Sequence, residues 1–299
     1  WLAGHCDLFH GPSFTLPPCR ARALVTVHDL SYLRYAQGAH PALLAWLTAA
    51  VRRSVQRAYH VLADSHHTRR DLIELLGVPA ARITVVGAGV DDRFRPIADP
   101  QEQNRVRARY RLPERFVLGV STLEPRKNFT GLIAAFEQLA ARPLPGAPLH
   151  LVIAGDKGWL YDDIFAAAAT SLARERIHFI GFVRDDDLPA LYSLAEVFAF
   201  PSHYEGFGIP VLEAMACGTP VVCANNSSLP EVAGDAALMV EATDIEGLAQ
   251  AMQRLITDAD LRQELKRRGL TQAGKFTWEA AAQRLLGVYD RLARPASKH

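Results

Sequence analysis

The sequence predicts an α/β protein with two domains, and three observations support this prediction. The 299 residues are too many for one domain of ordinary size and suit two domains that each bury a core. Short apolar runs alternate with amphipathic helical patterns along the whole chain. Most of these runs lack period-two alternation, which is typical of parallel strands that are covered on both faces.

The apolar runs and helical patterns define the predicted elements in chain order. The predicted strands are Asp7–His10, Ala23–His28, His60–Ala63, Ile83–Val86, Phe116–Ser121, Leu149–Ala154, Ile177–Ile180, Val197–Phe200, Pro220–Ala224 and Ala237–Val240. The predicted helices are 41–59, 65–77, 129–141, 210–217, 244–256, 258–274 and 278–293. Ser65 is the expected N-cap of the second helix, which ends at Gly77.

A glycine- and proline-containing break within 87–114 separates the two halves and predicts an interdomain linker. We therefore expect an N-terminal domain over 1–90, a linker over 91–114, a C-terminal domain over 115–277 and a final helix in 278–299 that returns to the N-terminal domain. The chain starts at Trp1 with a segment that resembles the middle of a domain. The N-terminal domain is accordingly expected to be incomplete and the intact gene to encode a longer protein.

Composition excludes several classes of protein. The 33 Lys+Arg and 32 Asp+Glu residues nearly balance, whereas nucleic-acid-binding proteins normally show a basic excess. No apolar stretch approaches the ~20 residues that a membrane-spanning helix needs. The four cysteines form neither a CxxC pair nor a zinc spacing, so we expect reduced thiols in a cytosolic protein.

The strongest functional signal is the run Glu205-Gly-Phe-Gly-Ile-Pro-Val-Leu-Glu213 after the strand that ends at Phe200. Gly206 and Gly208 allow close approach of the backbone to a ligand, and the N terminus of the next helix favours an anionic or hydroxyl-rich group. Glu213, expected in the first helical turn, can accept two hydrogen bonds from a vicinal diol such as ribose. Glu205 in the loop can meet a second polyol. The alternative is a turn with two solvated glutamates.

Polar residues follow three other predicted strands. Arg126 and Lys127 suit a pyrophosphate clamp, with arginine as a bidentate fork and lysine as a point charge; a solvated basic turn is the alternative. His28 can accept from or donate to a sugar hydroxyl, although a lone histidine is more often structural and this interpretation outweighs the functional one unless the other motifs agree. Gly155 begins a further glycine-containing loop at a strand end.

Two polar clusters are not interpreted as metal sites. His66 and His67 are adjacent on a helix and do not face one ligand. Asp185–Asp187 is interpreted as the N-terminal cap of the helix that reaches Ala195, because negative charge is favoured there. No metal ligand is therefore assigned.

Taken in order, these segments resemble the family-4 retaining glycosyltransferases, and the resemblance covers nearly the whole chain. The specificity lies in the order of the pieces, since each piece alone is weak. The sequence Thr122-Leu-Glu-Pro-Arg-Lys-Asn128 is similar to the corresponding motif of the mannosyltransferase-like branch, which builds bacterial surface polysaccharides. The matching segments are His28-Asp29, Gly89-Val-Asp91, Phe94-Arg-Pro96, Glu124–Asn128, Gly155-Asp156, Gly181–Val183, Leu188, Leu191-Tyr192, Pro201-Ser202, Glu205–Gly208, Glu213-Ala214, Gly218–Val222 and Glu231–Gly234.

The resemblance implies the GT-B fold, in which two Rossmann-like domains face each other across a cleft. It implies transfer of a sugar, with retention, from a nucleoside diphosphate sugar to a glycan or lipid-linked acceptor in polysaccharide biosynthesis. GDP-mannose is favoured over UDP-linked and other donors, and neither a cofactor nor a metal is expected. A cytoplasmic location follows, with peripheral contact to the inner face of the membrane as an addition.

The resemblance also carries roles to single residues. It assigns Lys127, with Arg126, to the donor pyrophosphate and Glu213 to the ribose hydroxyls. A further arginine of the family falls on Ser121 here, which leaves part of the clamp to Arg126. It assigns contacts to the transferred sugar to Glu205 and His28. It assigns backbone contacts to the donor to Gly206, Phe207 and Gly208. Val183 lies where the family holds the nucleotide base.

Other functions remain open at this stage. A catalytically inactive, truncated nucleotide-binding or interaction protein would keep the C-terminal domain, and a nucleotide-sugar epimerase would use the same fold. The helix 41–59 carries Trp46 together with Arg52, Arg53 and Arg57. This face suits an anionic lipid surface, while a solvated basic face is the alternative.

Overall fold

The structure is a computed structural model that describes residues 6–38 and 41–293, without the side chains of 41–43. The chain divides into two compact units. Within the described residues, unit 1 comprises 6–89, 205–207 and 276–293, and unit 2 comprises 90–204 and 208–275. The expectations for Trp1 and for 294–299 lie outside the described residues.

Unit 1 is built on a four-stranded parallel sheet. Its elements are β1 (Leu8–Gly11), β2 (Arg22–Val27), α1 (Ser31–Arg34), α2 (Pro41–Arg57), β3 (His60–Ala63), α3 (His66–Leu76) and β4 (Ile83–Val85). The strands lie in the order β1-β2-β3-β4. On one face of this sheet Val25 and Val61 pack with Val51 of α2 and Leu72 of α3. This arrangement buries the apolar stripe of α2 and fixes the strand ends from which functional side chains project.

The helix Trp278–Ala293 (the last of the chain, α12) belongs to unit 1. Its Val288 and Leu292 pack with Leu24 and Leu62 on the other face of the sheet. Successive residues of β2 therefore point into two different apolar layers, as alternation along a strand requires. Both faces of β2 and β3 are covered, which explains why their sequences are continuously apolar.

Unit 2 contains a six-stranded parallel sheet in the order β10-β9-β8-β5-β6-β7. The order reverses at β5, which lies between β6 and β8, and ligands of such sheets bind beyond the carboxyl ends at this point. The elements are α4 (Pro100–Arg109), β5 (Arg115–Val120), α5 (Phe129–Ala140), β6 (Leu149–Ala154), α6 (Asp162–Thr170), β7 (Ile177–Gly181), α7 (Leu188–Leu194), β8 (Val197–Phe200), α8 (Ile209–Ala216), β9 (Val221–Ala224), α9 (Leu229–Ala233), β10 (Ala237–Val240), α10 (Ile245–Thr257) and α11 (Ala259–Ala273).

The segment 91–114 is not simply a linker. It belongs to unit 2 and contains α4, whose first residue is Pro100 and whose N-cap Asp99 accepts a hydrogen bond from the backbone NH of Gln101. Proline suits the first turn of a helix because its missing NH has no partner there anyway. Interpreting Pro100 as a linker residue therefore missed a helix start. The short helices α1, α6 and α9 were also missed.

The predicted α/β class with parallel strands is confirmed, and all ten predicted strands are found within one residue at each end. Ser65 caps α3 by accepting a hydrogen bond from Thr68 NH, and Gly77 follows its end with φ of 66°. All four cysteines carry free thiols. Among the described residues, none of the helices has the length and apolar character needed to cross a bilayer.

Candidate functional site

The carboxyl ends of β5, β6 and β7 are joined tightly in unit 2. The backbone NH of Ser121 donates to the carbonyl of Ala154, and the NH of Gly155 donates to the carbonyl of Gly181. Gly155 has φ of +142°, and a Cβ there would lie 1.9 Å from the carbonyl oxygen of Ser121. Only glycine can therefore join these loops, and the predicted contact of Gly155 to substrate stays a prediction.

Lys127 lies at the carboxyl end of β8. It ends a 3₁₀ turn over Pro125–Lys127, directly before α5, and its Nζ lies 5.3 Å from the centroid of the Phe200 ring. Phe200 is the last residue of β8. The ammonium group is thus held by a cation–π contact at the sheet edge where ligands of this topology bind.

The structure distinguishes Arg126 from Lys127. The Arg126 guanidinium donates to Glu124 Oε1 at 2.5 Å and to the Tyr204 carbonyl at 2.8 Å. Its side chain is only 17% exposed, and that of Glu124 2%. The neighbouring carboxylate offsets much of the Arg126 charge, so we infer that Arg126 fastens the loop after β8 to the loop after β5. Its assignment to the donor pyrophosphate beside Lys127 stays a prediction.

Asn128 fixes the start of α5 behind the two cations. Its backbone is left-handed, with φ of 56°, and its side-chain carbonyl accepts from Gly131 NH. The Asn128 amide donates to the carbonyls of Pro201 and Ala242. The residue therefore ties the turn that carries Lys127 to the segments after β8 and β10. Sequence reasoning named Asn128 as part of a motif but gave it no role.

Glu213 is the fifth residue of α8, at the start of its second turn rather than in the first, because the helix begins at Ile209, one residue before the predicted start. Gly208 precedes it with φ of +115°, a conformation that glycine adopts readily. The Tyr192 hydroxyl donates to Glu213 Oε2 at 2.8 Å. Burial raises the pKa of Glu213 to about 7, although the Tyr192 hydrogen bond opposes the rise. This carboxyl therefore changes charge near neutral pH.

Val183 lies in the loop after β7 and is 4% exposed, whereas the neighbouring Phe182 is 61% exposed. The Tyr110 hydroxyl accepts from the NH of Arg184 and donates to the Asp187 carboxylate. The loop is thus held at its base by α4. Because the Val183 side chain is buried, a ligand at this loop would contact the backbone of the loop and the exposed Phe182 ring.

Asp187 does not cap α7. Its side chain makes no capping hydrogen bond and instead accepts from Arg105, Arg109 and Tyr110. Burial raises the pKa of Asp187, but the hydrogen bonds from Tyr110 and Arg105 outweigh it and lower the pKa overall. The sequence missed this because its partners lie on α4, which was not predicted. Within the described part of the chain, no three His, Cys, Asp or Glu side chains are grouped to hold a metal ion.

Unit 1 holds His28 at the carboxyl end of β2. Its Nδ1 lies 2.7 Å from Asp64 Oδ2, and the two side chains are 43% and 17% exposed. The hydrogen bond to Asp64 raises the pKa of His28 although burial lowers it. The Phe14 ring contacts the imidazole edge-to-face at 5.4 Å. His28 is thus an oriented and partly accessible imidazole.

Asp64 was missed by the sequence analysis. It directly follows β3, which pairs with β2 in parallel, so its side chain and His28 leave the sheet at the same edge. Two polar residues that end paired parallel strands could have signalled this contact, but the pairing of the two strands had not been predicted.

The segment Glu205–Phe207 is counted with unit 1 rather than with the C-terminal domain to which the sequence assigned it. A Cβ at Gly206 would lie 2.3 Å from the carbonyl oxygen of His28. The Thr68 hydroxyl bridges the carbonyls of His28 and Gly206. Glu205 is 6% exposed. The fold of unit 1 therefore brings the segment Glu205–Gly206 beside His28.

Phe207 also lies in this segment, and its ring contacts Phe276 edge-to-face at 5.9 Å. The predicted site residues therefore fall into two groups. The group in unit 1 is His28, Glu205, Gly206 and Phe207, and the group in unit 2 is Arg126, Lys127, Gly155, Val183, Gly208 and Glu213.

Comparison with known proteins places similarity over both units. The model of the family described as glycosyl transferases group 1 matches residues 100–272, and that described as glycosyltransferase family 4 matches residues 1–94. The O-antigen chain mannosyltransferase B of Escherichia coli is 34% identical over 95% of this chain and 74% of its own length. The serotype-specific mannosyltransferase WbdA of Escherichia coli is 34% identical over 81% of this chain. The chain spans only 30% of the length of WbdA.

Solved structures agree with these family matches. Sucrose-phosphate synthase from Thermosynechococcus elongatus superimposes with a TM-score of 0.78 at 25% identity, over 96% of this chain and 73% of that one. The similarity supports the GT-B architecture that the sequence predicted.

Proposed function

Because the chain belongs to the glycosyl transferases group 1, with a family-4 region at its N terminus, we propose that it transfers mannose from GDP-mannose to a glycan or lipid-linked acceptor with retention of configuration. The coarser statement, that the chain is a glycosyltransferase, follows from the family itself. The identity of the donor, the acceptor and the stereochemistry are the proposed parts. A cytoplasmic location and independence of cofactors and metals belong to the same proposal.

One observation supports the proposal: Lys127 lies over Phe200, the last residue of β8, and Glu213 lies on α8, the helix that follows β8 in the chain. An ammonium group suits the diphosphate of a donor, and a carboxylate suits the two hydroxyl donors of ribose. The relatives whose names specify mannosyl transfer support mannose as the sugar. Both chemical halves of a nucleoside diphosphate therefore have a matching side chain in unit 2.

The proposed reaction breaks the bond between the anomeric carbon and the donor phosphate oxygen. The acceptor hydroxyl forms a new bond to that carbon on the same face, and its proton passes to the leaving phosphate. Lys127 stabilises the negative charge that develops on this phosphate. Within unit 2, Arg126 keeps the loop beside Lys127 in place. Within unit 1, we assign His28, oriented by Asp64, and Glu205 to sugar hydroxyls, as the family resemblance implies.

A ligand panel tests the donor, because a nucleotide that binds only the folded chain raises its melting temperature. We expect GDP to raise Tm more than UDP or ADP, and Glu213→Ala to reduce the GDP shift strongly. Glu264→Ala, which removes an exposed carboxylate paired with Arg267 and Arg268, serves as the control and should keep the shift. A larger rise in Tm with UDP than with GDP would indicate UDP as the donor nucleotide instead.

Product analysis with GDP-mannose completes this test. Transfer to a mannose-containing acceptor, with the anomeric configuration read by NMR, is the expected result. Binding of GDP without turnover would favour the inactive interaction protein, and an isomerised free nucleotide sugar would favour an epimerase. An inverted product would contradict the retaining mechanism.

We further propose peripheral contact with anionic lipid through α2. Trp46 is 57% exposed, and Arg53 and Arg57, which follow it by seven and eleven residues, share its helix face because α-helices repeat every 3.6 residues. All three side chains are exposed. An amphipathic indole beside two cations suits the interface of an anionic bilayer.

Co-sedimentation with vesicles of phosphatidylglycerol and phosphatidylcholine tests this contact. Alanine at Arg52, Arg53 and Arg57 together is expected to reduce pelleting several-fold at low salt. A matched triple alanine variant at Arg254, Arg267 and Arg268 of unit 2 removes the same charge and should pellet like the unmodified chain. Equal pelleting of the two triple variants would rule out the α2 face.

A further inference from the structure

The carboxyl of Glu213 accepts a hydrogen bond from the phenol of a buried tyrosine, Tyr192. Tyr192 lies on α7 with 0% exposure, and its hydroxyl donates to Glu213 Oε2 at 2.8 Å. Among the described residues, no second side chain is recorded as a hydrogen-bond donor to this carboxyl. The phenol therefore sets the position of one carboxyl oxygen and leaves the other to a ligand.

The phenol itself has little freedom to move. Its ring contacts Phe198 edge-to-face at 5.3 Å and Phe94 at 6.1 Å. The Tyr192 carbonyl accepts from the Thr219 hydroxyl at 2.7 Å. Aromatic contacts on two sides and a fixed backbone hold the hydroxyl against Glu213, so the hydrogen bond is preorganised before any ligand arrives.

The charge of Glu213 depends on this contact. Burial raises the pKa of Glu213 to about 7. Two groups that face Glu213 lower its pKa, the Tyr192 hydroxyl and the Arg93 guanidinium, and two carboxylates raise it, those of Asp185 and Asp91. The Cys217 thiol also faces it, and the pKa of this thiol is itself raised to about 12. A protonated carboxyl would present a hydroxyl to the ribose diol and lose an acceptor, whereas the carboxylate accepts from both hydroxyls.

We propose that Tyr192 is a positioning residue that holds the Glu213 carboxylate in its ionised, diol-accepting form, and that donor binding therefore releases a proton below neutral pH. This inference rests on the proposed function, since it assumes that Glu213 meets the diol of a nucleoside diphosphate. It assigns Tyr192 a role through Glu213 rather than by contact with the substrate. Neither the family matches nor the relatives' names assign this role.

Titration calorimetry with GDP between pH 5.5 and 9 tests the proposal. For the unmodified chain the dissociation constant should rise as pH falls below about 7. Tyr192→Phe keeps the ring but removes the hydrogen bond that stabilises the charged form, so the midpoint should move up by about one pH unit. GDP affinity of this variant at pH 7 should be about fivefold weaker than that of the unmodified chain, which is itself half-ionised there, and the two should converge by pH 9.

Two comparisons separate this role from general damage. Tyr161→Phe removes another hydroxyl of unit 2, from a tyrosine that contacts Lys157 and Phe165, and should keep the midpoint of the unmodified chain. In a Glu213→Gln background, adding Tyr192→Phe should leave the pH profile unchanged, so that only the ionisation of the GDP phosphate remains in it. The 2′,3′-dideoxy analogue of GDP lacks the diol, so its pH profile should be the same for the unmodified chain and for Tyr192→Phe.

Proton release gives a second readout that does not need a variant. GDP binding to the unmodified chain at pH 6, measured in two buffers with different ionisation enthalpies, should release close to one proton more than binding of the 2′,3′-dideoxy analogue, which carries the same ionisable phosphate. Coincident midpoints for the unmodified chain and Tyr192→Phe, or no excess proton release over the analogue at pH 6, would overturn the proposal. If the unmodified chain bound neither GDP nor UDP at any pH, the proposed function itself would fail instead.

Discussion

Lys127→Ala is expected to lower kcat/KM for sugar transfer by about 100- to 1000-fold, the loss typical of removing one preorganised electrostatic contact from a transition state. The charge on the leaving phosphate grows as the bond to the sugar breaks, so the ammonium group stabilises the transition state more than the bound donor. Most of the loss should therefore fall on kcat. Steady-state transfer assays with GDP-mannose measure it.

The position of Lys127 makes this effect specific. Its Nζ is held over the Phe200 ring, whereas the adjacent Arg126 is engaged with Glu124 and Tyr204. Arg126 therefore cannot readily take over the charge. Lys127→Arg should recover part of the activity, because a guanidinium supplies the charge with a different shape.

The control for Lys127→Ala is Lys275→Ala. Lys275 is an exposed lysine that bonds to Gln272 on α11, and its removal changes the net charge of the chain by the same amount. Its kcat/KM should stay within about twofold of the unmodified chain, as for ordinary surface substitutions. If both lysine variants behaved alike, the donor phosphate would have to bind elsewhere.

The sequence was sufficient to predict the strands because their signal is local. β3, β6, β8 and β10 were predicted with their observed bounds, since short apolar runs between turn residues mark buried parallel strands directly. The helix α5 was predicted for the same reason, from its amphipathic period alone. Local patterning thus determined the framework that carries Lys127 and Glu213.

Contacts between distant segments could not be predicted in this way. The pairs His28–Asp64 and Tyr192–Glu213 join residues 36 and 21 positions apart, and each depends on which strands and helices are neighbours. The same limit explains Arg126, whose partner Tyr204 lies 78 positions away. Residue type identified the candidate groups, but only the topology showed which of them are engaged by protein.

The allocation of Glu205–Phe207 to unit 1 shows a related limit. The run Glu205–Glu213 is continuous in sequence and was interpreted as one motif of one domain. In the structure it divides after Phe207, and Gly206 approaches the His28 carbonyl so closely that only a residue without Cβ fits. This contact joins segments far apart in the chain, so the spacing along the motif could not predict it.

Gly155→Ala is expected to lower the stability of unit 2 by at least about 2 kcal/mol, because residues other than glycine are strained in this backbone region and the new Cβ would overlap a carbonyl. The overlap is with the Ser121 carbonyl oxygen, at 1.9 Å, and Ser121 begins the loop that leads from β5 to Lys127. Relieving it must separate the ends of β5 and β6, so GDP affinity should fall about tenfold or more even where the chain remains folded.

Gly274→Ala is the matched control in unit 2, because its Cβ would meet no atom closer than 3.5 Å and its backbone is right-handed, with φ of −62°. Thermal unfolding and GDP calorimetry should find this control nearly unchanged. If Gly155→Ala lost stability but kept GDP affinity at temperatures well below its Tm, the junction of the strand ends would serve folding alone. Equal behaviour of the two variants would contradict the role of Gly155 in both. The expected combination, a destabilised fold with weakened nucleotide binding, would place the same backbone contact at the origin of both properties.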